Sequence, residues 1–255
     1  MVPVEGAASD HALCEELAQG AGERLLVLQG GNHSLTPVEL KDEGDRTAQR
    51  YLADQLALSR PDDAVLSEES DDVGDRSTAD RVWIIDPLDG TREFSEGRAD
   101  WAVHVALWQR GELVAGGVSL PAEGLTFSTG RPPAVAPRTV TGLRIAVSRS
   151  RPPSLVPQLL DLLGATTVPM GSAGVKVMSV VRGETDLYVH GGGQYEWDSA
   201  APVAVARAAG LHASRLDGSA LTYNRPDPLL PDLLVCRPEF AERVLIAIGR
   251  CGAER

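Results

Sequence analysis

Apolar and polar positions change rhythm twice along the chain. Residues 10–29, DHALCEELAQGAGERLLVLQ, set Leu13, Leu17, Leu25 and Leu28 at helical spacing, and Ser9 or Asp10 can cap the start. Gly20 and Gly22 argue against an unbroken helix. DRTAQRYLADQLALS predicts a second amphipathic helix, opened by Asp45 near its first turn and closed before Pro61. AVLSEES predicts a short buried strand ending in acids, and DDVGDRSTAD a polar, turn-rich loop. From Val82 strands take over: VWIID, WAVHVALWQRG, ELVAGGVSLP and GLTFSTG, with RGEL as a hairpin signal. After the Pro-rich GRPPAVAPRTV, strand and helix alternate through LRIAVS, SLVPQLLDLLG, TTVPMG, GVKVMSVVRGE, TDLYVH and WDSAAPVAVARAAG. Alternation of this kind predicts an α/β fold. The Pro-rich stretch divides it into an N-terminal α+β part, 1–135, and a C-terminal α/β part, 136–255.

Composition narrows the function. With 255 residues and 43% apolar content a sizeable core can form, built on Val, Leu, Ala and Ile because aromatics are only 4%. A formal charge of −12 speaks against nucleic acid or an anionic membrane as partner. An anionic substrate would need local neutralisation, which bound cations supply. Cys14, Cys236 and Cys251 form no CxxC pair and are expected as reduced thiols of a cytoplasmic protein. MVPVEGAASD has no signal-peptide pattern, and no apolar run approaches the ~20 residues of a membrane span.

The candidate chemistry lies in acids at element boundaries. In VWIIDPLDGTREF a strand apolar on both faces ends at Asp86, and Asp89 follows. A buried carboxylate needs a partner, so both belong at the strand's exit. Pro87 is expected to stop strand pairing, and Gly90 to let the backbone turn tightly beside a ligand. Thr91 opens TREFSEG, where free amides suit a phosphate. Glu68 and Glu69 end another apolar strand, and Asp198 precedes an Ala-rich helix. Singly, each acid is an ordinary turn or cap residue. Together they predict an oxygen-rich site for Mg²⁺. Haloacid dehalogenase-type phosphotransferases share an apolar strand and a DGT turn, but their two acids stand one residue closer than Asp86 and Asp89 do.

WIIDPLDGTREF, LSEES and WDSAAPVAVARAAG together resemble the Mg²⁺-dependent, lithium-sensitive inositol monophosphatase superfamily, from about Leu35 onward. The resemblance implies an alternating αβαβα sandwich. It implies one Mg²⁺ on Glu68, Asp86 and the Leu88 carbonyl, and a second on Asp86, Asp89 and Asp198. Glu68 and Thr91 would orient and deprotonate the attacking water, the Gly90 and Thr91 amides would cradle phosphate, and Asp45 would support a weaker third metal. Two-metal hydrolysis of this kind needs no covalent phosphoenzyme. Inhibition by Li⁺ and a homodimer are family expectations. Histidines 11, 33, 104, 190 and 212 show no ligand spacing, and His104 is expected as a packed strand residue.

IAVSRSR and VPMGSAGVKVMSVVRGETDLYV are similar to the CysQ branch, phosphatases of 3'-phosphoadenosine 5'-phosphate in sulfur metabolism. Arg149 or Lys176 would then hold the phosphate that is not cleaved, and Ser172 would hydrogen-bond sugar or phosphate, against plain surface roles for both cations. Two departures stand out. KDEGD carries Asp42 where the family has Thr, which bears on the third metal. Gly191 replaces the Glu that inositol enzymes place seven residues before the Trp-Asp aspartate, leaving room for a bulkier group. The expected reaction is therefore hydrolysis of the bisphosphate nucleotide to AMP and phosphate. Inositol 1-phosphate or fructose 1,6-bisphosphate hydrolysis is the alternative. A non-catalytic nucleotide sensor is a further one, disfavoured because every expected ligand is present.

Overall fold

The computed structural model describes residues 9–31, 34–73, 75–138 and 141–253. The first eight residues and His33 lie outside them. Helix α1 (Asp10–Gly30) starts at Ser9, whose hydroxyl accepts the Ala12 N–H at 3.2 Å. It runs unbroken through Gly20 and Gly22, contrary to expectation, because both glycines mark close packing. A Cβ at Gly20 would stand 2.2 Å from the Tyr51 hydroxyl, and one at Gly22 2.5 Å from the Pro121 ring. Helix α2 (Pro37–Ser59) opens at Pro37 rather than near Asp45. Thr36 and Glu39 form a capping box, Thr36 Oγ1 accepting from Glu39 N at 3.3 Å and Glu39 Oε2 from Thr36 N at 2.8 Å. Asp45 and the KDEGD segment thus lie inside the helix, with Asp45 on its buried face.

The first sheet comprises β1 (Ala64–Ser67), β2 (Ser70–Val73), β3 (Arg81–Asp89), β4 (Ala102–Gln109), β5 (Glu112–Leu120) and β6 (Leu125–Ser128), in the order β2-β1-β3-β4-β5-β6. Its β1 and β3 are parallel, and its other pairs are antiparallel. Two sequence expectations change here. The segment expected as loop begins with β2, which folds back on β1 so that Glu68 and Glu69 form the hairpin tip. Pro87 does not end pairing either: Asp86 pairs with His104, the ladder bulges, and Asp89 pairs with Ala102. Along β3, Val82 and Ile84 enter one core while Trp83 and Ile85 enter another, as strand alternation requires. A five-residue helix, α3 (Thr91–Ser95), follows β3 directly.

Beyond the Pro-rich connection come β7 (Leu143–Ser148), α4 (Val156–Leu163), β8 (Ala165–Met170), α5 (Ala173–Val181), β9 (Leu187–His190), β10 (Gln194–Tyr195) and α6 (Glu196–Ala208). Then follow β11 (His212–Ser214), β12 (Leu229–Leu230), β13 (Leu233–Cys236) and α7 (Ala241–Ala253). The second sheet has the order β11-β13-β9-β7-β8, with β7, β8 and β9 parallel, while β10 and β12 form a separate pair.

The layers follow from which faces are apolar. Helices α1 and α2 cover one face of the first sheet, α5 and α6 fill the space between the sheets, and α4 and α7 cover the far face of the second. This is the expected αβαβα sandwich. The middle core joins Ile84 and Val118 of the first sheet to Tyr188 and Val235 of the second through residues such as Val177 and Val203. No helix among the described residues is long and apolar enough to cross a membrane.

Candidate active site

The C-terminal ends of β1 and β3 in one sheet face those of β7, β8 and β9 in the other, across the starts of α3, α5 and α6. Between them lies a cavity of about 430 Å³. Its walls include Glu68, Asp86, Leu88, Asp89, Gly90, Thr91, Ser172, Lys176 and Asp198. Asp45 and Arg149 lie outside the wall.

The acids are held by the turn that the sequence predicts. Asp86 Oδ1 accepts the Leu88 N–H at 3.1 Å across Pro87, which fixes the carboxylate at the bulge. Gly90 takes φ 92° and ψ 42°, a left-handed conformation that favours glycine, and releases the chain into α3. Asp89 Oδ2 accepts from Ser172 Oγ at 2.6 Å and from Gly174 N at 2.7 Å, so it is tied to the start of α5. Asp198 Oδ2 accepts the Tyr195 N–H at 2.6 Å and closes the first turn of α6. Beneath them, buried His104 places Nε2 3.3 Å from Asp89 Oδ2 and Nδ1 3.9 Å from Asp86 Oδ2. His104 is the packed strand residue expected, and it also touches the acid cluster. The Trp197 carbonyl, 3.2 Å from Nδ1, can only accept, which assigns the ring proton to Nδ1. Burial lowers the His104 pKa, against the pull of Asp89.

Four carboxyls gathered in one place cannot all ionise comfortably. Burial, then the charges of Glu68, Asp89 and Asp198, raise Asp86 well above the usual carboxylate range. Burial and then Asp89 push Asp198 up to about 8. Glu68 sits at the open mouth, yet loss of hydration at its carboxyl, then Glu69, Asp89 and Asp45, bring it to about 7. Asp45 reaches about 7, through burial first and Glu69 second. Asp86 Oδ2 is buried without a hydrogen-bond partner among the described residues. A buried, unpartnered oxygen amid crowded carboxylates fits a hard cation bound by oxygen ligands. Asp86, Asp89 and His104 bring donor atoms within 4.8 Å of one another, and Glu68 and Asp198 line the same cavity.

The lining also includes backbone groups and cations. Ser172 caps α5 by accepting the Val175 N–H at 3.0 Å, and its own proton goes to Asp89. Lys176, read from sequence as either a phosphate ligand or a surface residue, is buried. Its Nζ donates to the carbonyls of Gly171 and of Ser172, the latter at 2.8 Å. Arg149 turns the other way, donating Nε to Glu93 Oε1 at 2.8 Å and a terminal N–H to Glu96 Oε2 at 2.6 Å. The cationic side chain that reaches the cavity wall from this loop is Arg151, which sequence reasoning passed over. Ser148, Ser150 and Arg151 line the cavity and Arg149 does not; strand alternation, which would set 149 and 151 on one face, gives no signal for this because β7 ends at Ser148. Tyr188 and His190, at the end of β9, were also missed as wall residues. Tyr195 and Trp197 stack on each other with ring centroids 4.7 Å apart, and neither lines the cavity.

Comparison with known proteins gives this geometry a lineage. A profile of the inositol monophosphatase family matches residues 7–249. The chain belongs to that family. Family members are metal-dependent, in keeping with the crowded acids. A Mycobacterium leprae protein named 3'-phosphoadenosine 5'-phosphate phosphatase is 50% identical over 252 residues, covering 93% of this chain and 92% of the relative. The Escherichia coli K12 3'(2'),5'-bisphosphate nucleotidase CysQ is 29% identical, over 84% of this chain and 94% of its own length. Among solved structures of the family fold, the extragenic suppressor protein suhB of Bartonella henselae superposes with a TM-score of 0.76 at 22% identity, covering 95% of this chain and 99% of its own.

Proposed function

We propose that this chain is a Mg²⁺-dependent phosphatase that converts 3'-phosphoadenosine 5'-phosphate to AMP and phosphate in sulfur metabolism. The observation that carries this is one cavity lined by both acids and cations, Lys176 and Arg151 together with Glu68, Asp86, Asp89 and Asp198. A bisphosphate has use for both. One phosphate needs cations held by the acids, and the other needs a cation the protein supplies itself. The 50% identical relative, named for this activity, supports the same choice.

Glu68, Asp86 and the Leu88 carbonyl would hold one Mg²⁺, and Asp86, Asp89 and Asp198 a second. Bound there, the ions would neutralise the scissile phosphate and make a nucleophilic water available near neutral pH. Glu68 would take a proton from the attacking water, and Thr91 would orient that water with its hydroxyl. The amides of Gly90 and Thr91 would receive phosphate oxygens. Asp45, inside α2, would support a third metal from outside the cavity wall. Ser172 holds Asp89 in place, and that is its first task; contact with the sugar would be a second. Lys176 uses two of its three N–H groups on carbonyls, leaving one for the uncleaved phosphate. Arg151 makes no ion pair with the described residues and completes the cationic wall. Li⁺ inhibition and a cytoplasmic homodimer belong to the same proposal.

The test is phosphate release by the purified protein in Mg²⁺, with 3'-phosphoadenosine 5'-phosphate, inositol 1-phosphate and fructose 1,6-bisphosphate compared by kcat/KM. A large preference for the nucleotide is expected. A preference for either sugar phosphate would overturn the substrate while leaving the metal chemistry in place.

A further inference from the structure

Beside the acid-lined cavity lies a second one, of about 330 Å³, and the two share Arg151, His190 and Gly192 as walls. Their chemistry differs sharply. Pro153, Leu155, Leu216, Ile248 and Cys251 make much of the second wall apolar. Its one acid, Asp232, is spent: it takes both ends of the Arg215 guanidinium at 2.7 Å and the Leu216 N–H at 2.8 Å. Away from Arg151 the cavity carries no free charge, and mixed walls of apolar groups with a few polar atoms suit a flat heterocycle. At the junction His190 Nε2 is buried with no hydrogen-bond partner among the described residues, a polar atom that a ligand could satisfy.

Residues 191–193 bring only backbone to the junction. Gly192 and Gly193 take φ values of 115° and 86°, which favour glycine. Gly191 is different. No left-handed φ holds it, and a Cβ there would meet only Pro153 Cβ at 3.4 Å and Leu155 Cδ2 at 3.5 Å, both ordinary contacts with residues of the second cavity. The backbone at 191 thus accepts a side chain, and a long one would grow along the wall of the second cavity.

We propose that the second cavity receives the purine base of the substrate, with Arg151 at the threshold and Gly191 keeping the passage open. The proposal rests on the nucleotide reading above and goes beyond it by naming where the uncharged part of the substrate sits. Binding energy won there, away from the reacting phosphorus, would separate a nucleotide from a small sugar phosphate.

Two experiments test it, and the first needs no mutation. Wild-type kcat/KM is compared for 3'-phosphoadenosine 5'-phosphate and for ribose 3,5-bisphosphate, which keeps both phosphates and lacks the base. The base-free compound is expected to be poorer by at least about tenfold, mostly through KM; equal values would overturn the base site. The second uses Gly191→Leu, assayed on the nucleotide and on inositol 1-phosphate. The nucleotide is expected to lose at least about tenfold more than inositol 1-phosphate, and equal losses would overturn the role of Gly191. Failure of the nucleotide reading itself would show separately, as a wild-type preference for inositol 1-phosphate over the nucleotide.

Discussion

The two walls of the active-site cavity are made in different ways. The acidic wall comes largely from one turn: Asp86, Leu88, Asp89, Gly90 and Thr91 are nearly consecutive, and only Glu68 and Asp198 arrive from elsewhere. The cationic wall is gathered from the exits of three parallel strands, with Arg151 after β7, Ser172 and Lys176 after β8, and His190 closing β9. A single turn carries its own geometry, because the bulge at Pro87 and the left-handed Gly90 aim the acids whatever the rest of the chain does. Three strand exits have a common aim only when the second sheet is assembled. Chemistry is thus concentrated in local sequence on one side, and selectivity depends on tertiary structure on the other.

The sharpest way to break this division is Asp86→Asn. Asp86 is buried at the centre of the acids and would serve both cations, so turnover in Mg²⁺ should fall by at least about a thousandfold on every substrate. The metal-free fold should be kept or made firmer, since the change removes a charge whose ionisation burial already opposes. Substantial Mg²⁺-dependent activity in the variant would remove Asp86 from the proposed metal site.

The same contrast sets how far each wall was legible. The acidic motif could be read because a run of apolar residues ending in acids has few stable meanings, and an α/β fold followed from the strand–helix alternation after the Pro-rich stretch, while the αβαβα layering came only from the family resemblance. The start of α2 was misplaced although its signal was local: Thr36, Pro37 and Glu39 spell a capping box, and the polar KDEGD drew attention to Asp45 instead. The ladder continuing past Pro87 was not legible, because it depends on β4 supplying Ala102 opposite Asp89. Arg149 and Arg151 could not be told apart by residue type. What separates them is that Glu93 in α3 and Glu96 just after it, more than fifty residues earlier in sequence, stand where the first can reach them. His104 entered the acid cluster through its register with Asp86 across β3 and β4.

A second test uses pH to expose the strain on the acidic wall. Unfolded carboxyls titrate near 4, whereas Glu68 and Asp45 are raised to about 7 and Asp198 to about 8. The folded, metal-free protein therefore keeps protons that the unfolded chain has lost. That stabilisation is full below about pH 4 and disappears as pH rises through 7 to 8. Buried His104, with its lowered pKa, works in the opposite sense but only up to about pH 6.5. Between pH 6.5 and 8.5, in chelator, Tm should fall by roughly 5 °C, and saturating Mg²⁺ should remove most of the fall. A metal-free Tm that is flat or rising across this range would show that the carboxyls are not crowded in solution.

On the cationic wall the expected effects are smaller and selective. Arg151→Ala should lower kcat/KM for 3'-phosphoadenosine 5'-phosphate by roughly tenfold to a hundredfold, the range of a lost charge-assisted hydrogen bond. Inositol 1-phosphate, which has no second phosphate, should lose much less. Equal losses on the two substrates would take Arg151 out of phosphate recognition.

Arg149→Ala sharpens the comparison most finely, because its neighbour predicts the opposite pattern. Arg149 spends its guanidinium on Glu93 and Glu96, and its backbone N–H donates to the Met170 carbonyl at 3.0 Å. Glu93 in turn packs where a Cβ at Gly171 would stand 2.4 Å from its Cγ, so α3 and the loop before α5 are fitted closely together. Arg149 then acts by holding the helix that begins with Thr91 against the wall that carries Lys176. Its removal should cost both substrates alike, by roughly threefold to tenfold in kcat with little change in KM. The double variant with Glu93→Gln should lose hardly more than either single one, because both changes break the same link. A loss confined to the bisphosphate would return Arg149 to the role of phosphate ligand and mean that its ion pairs open when substrate binds.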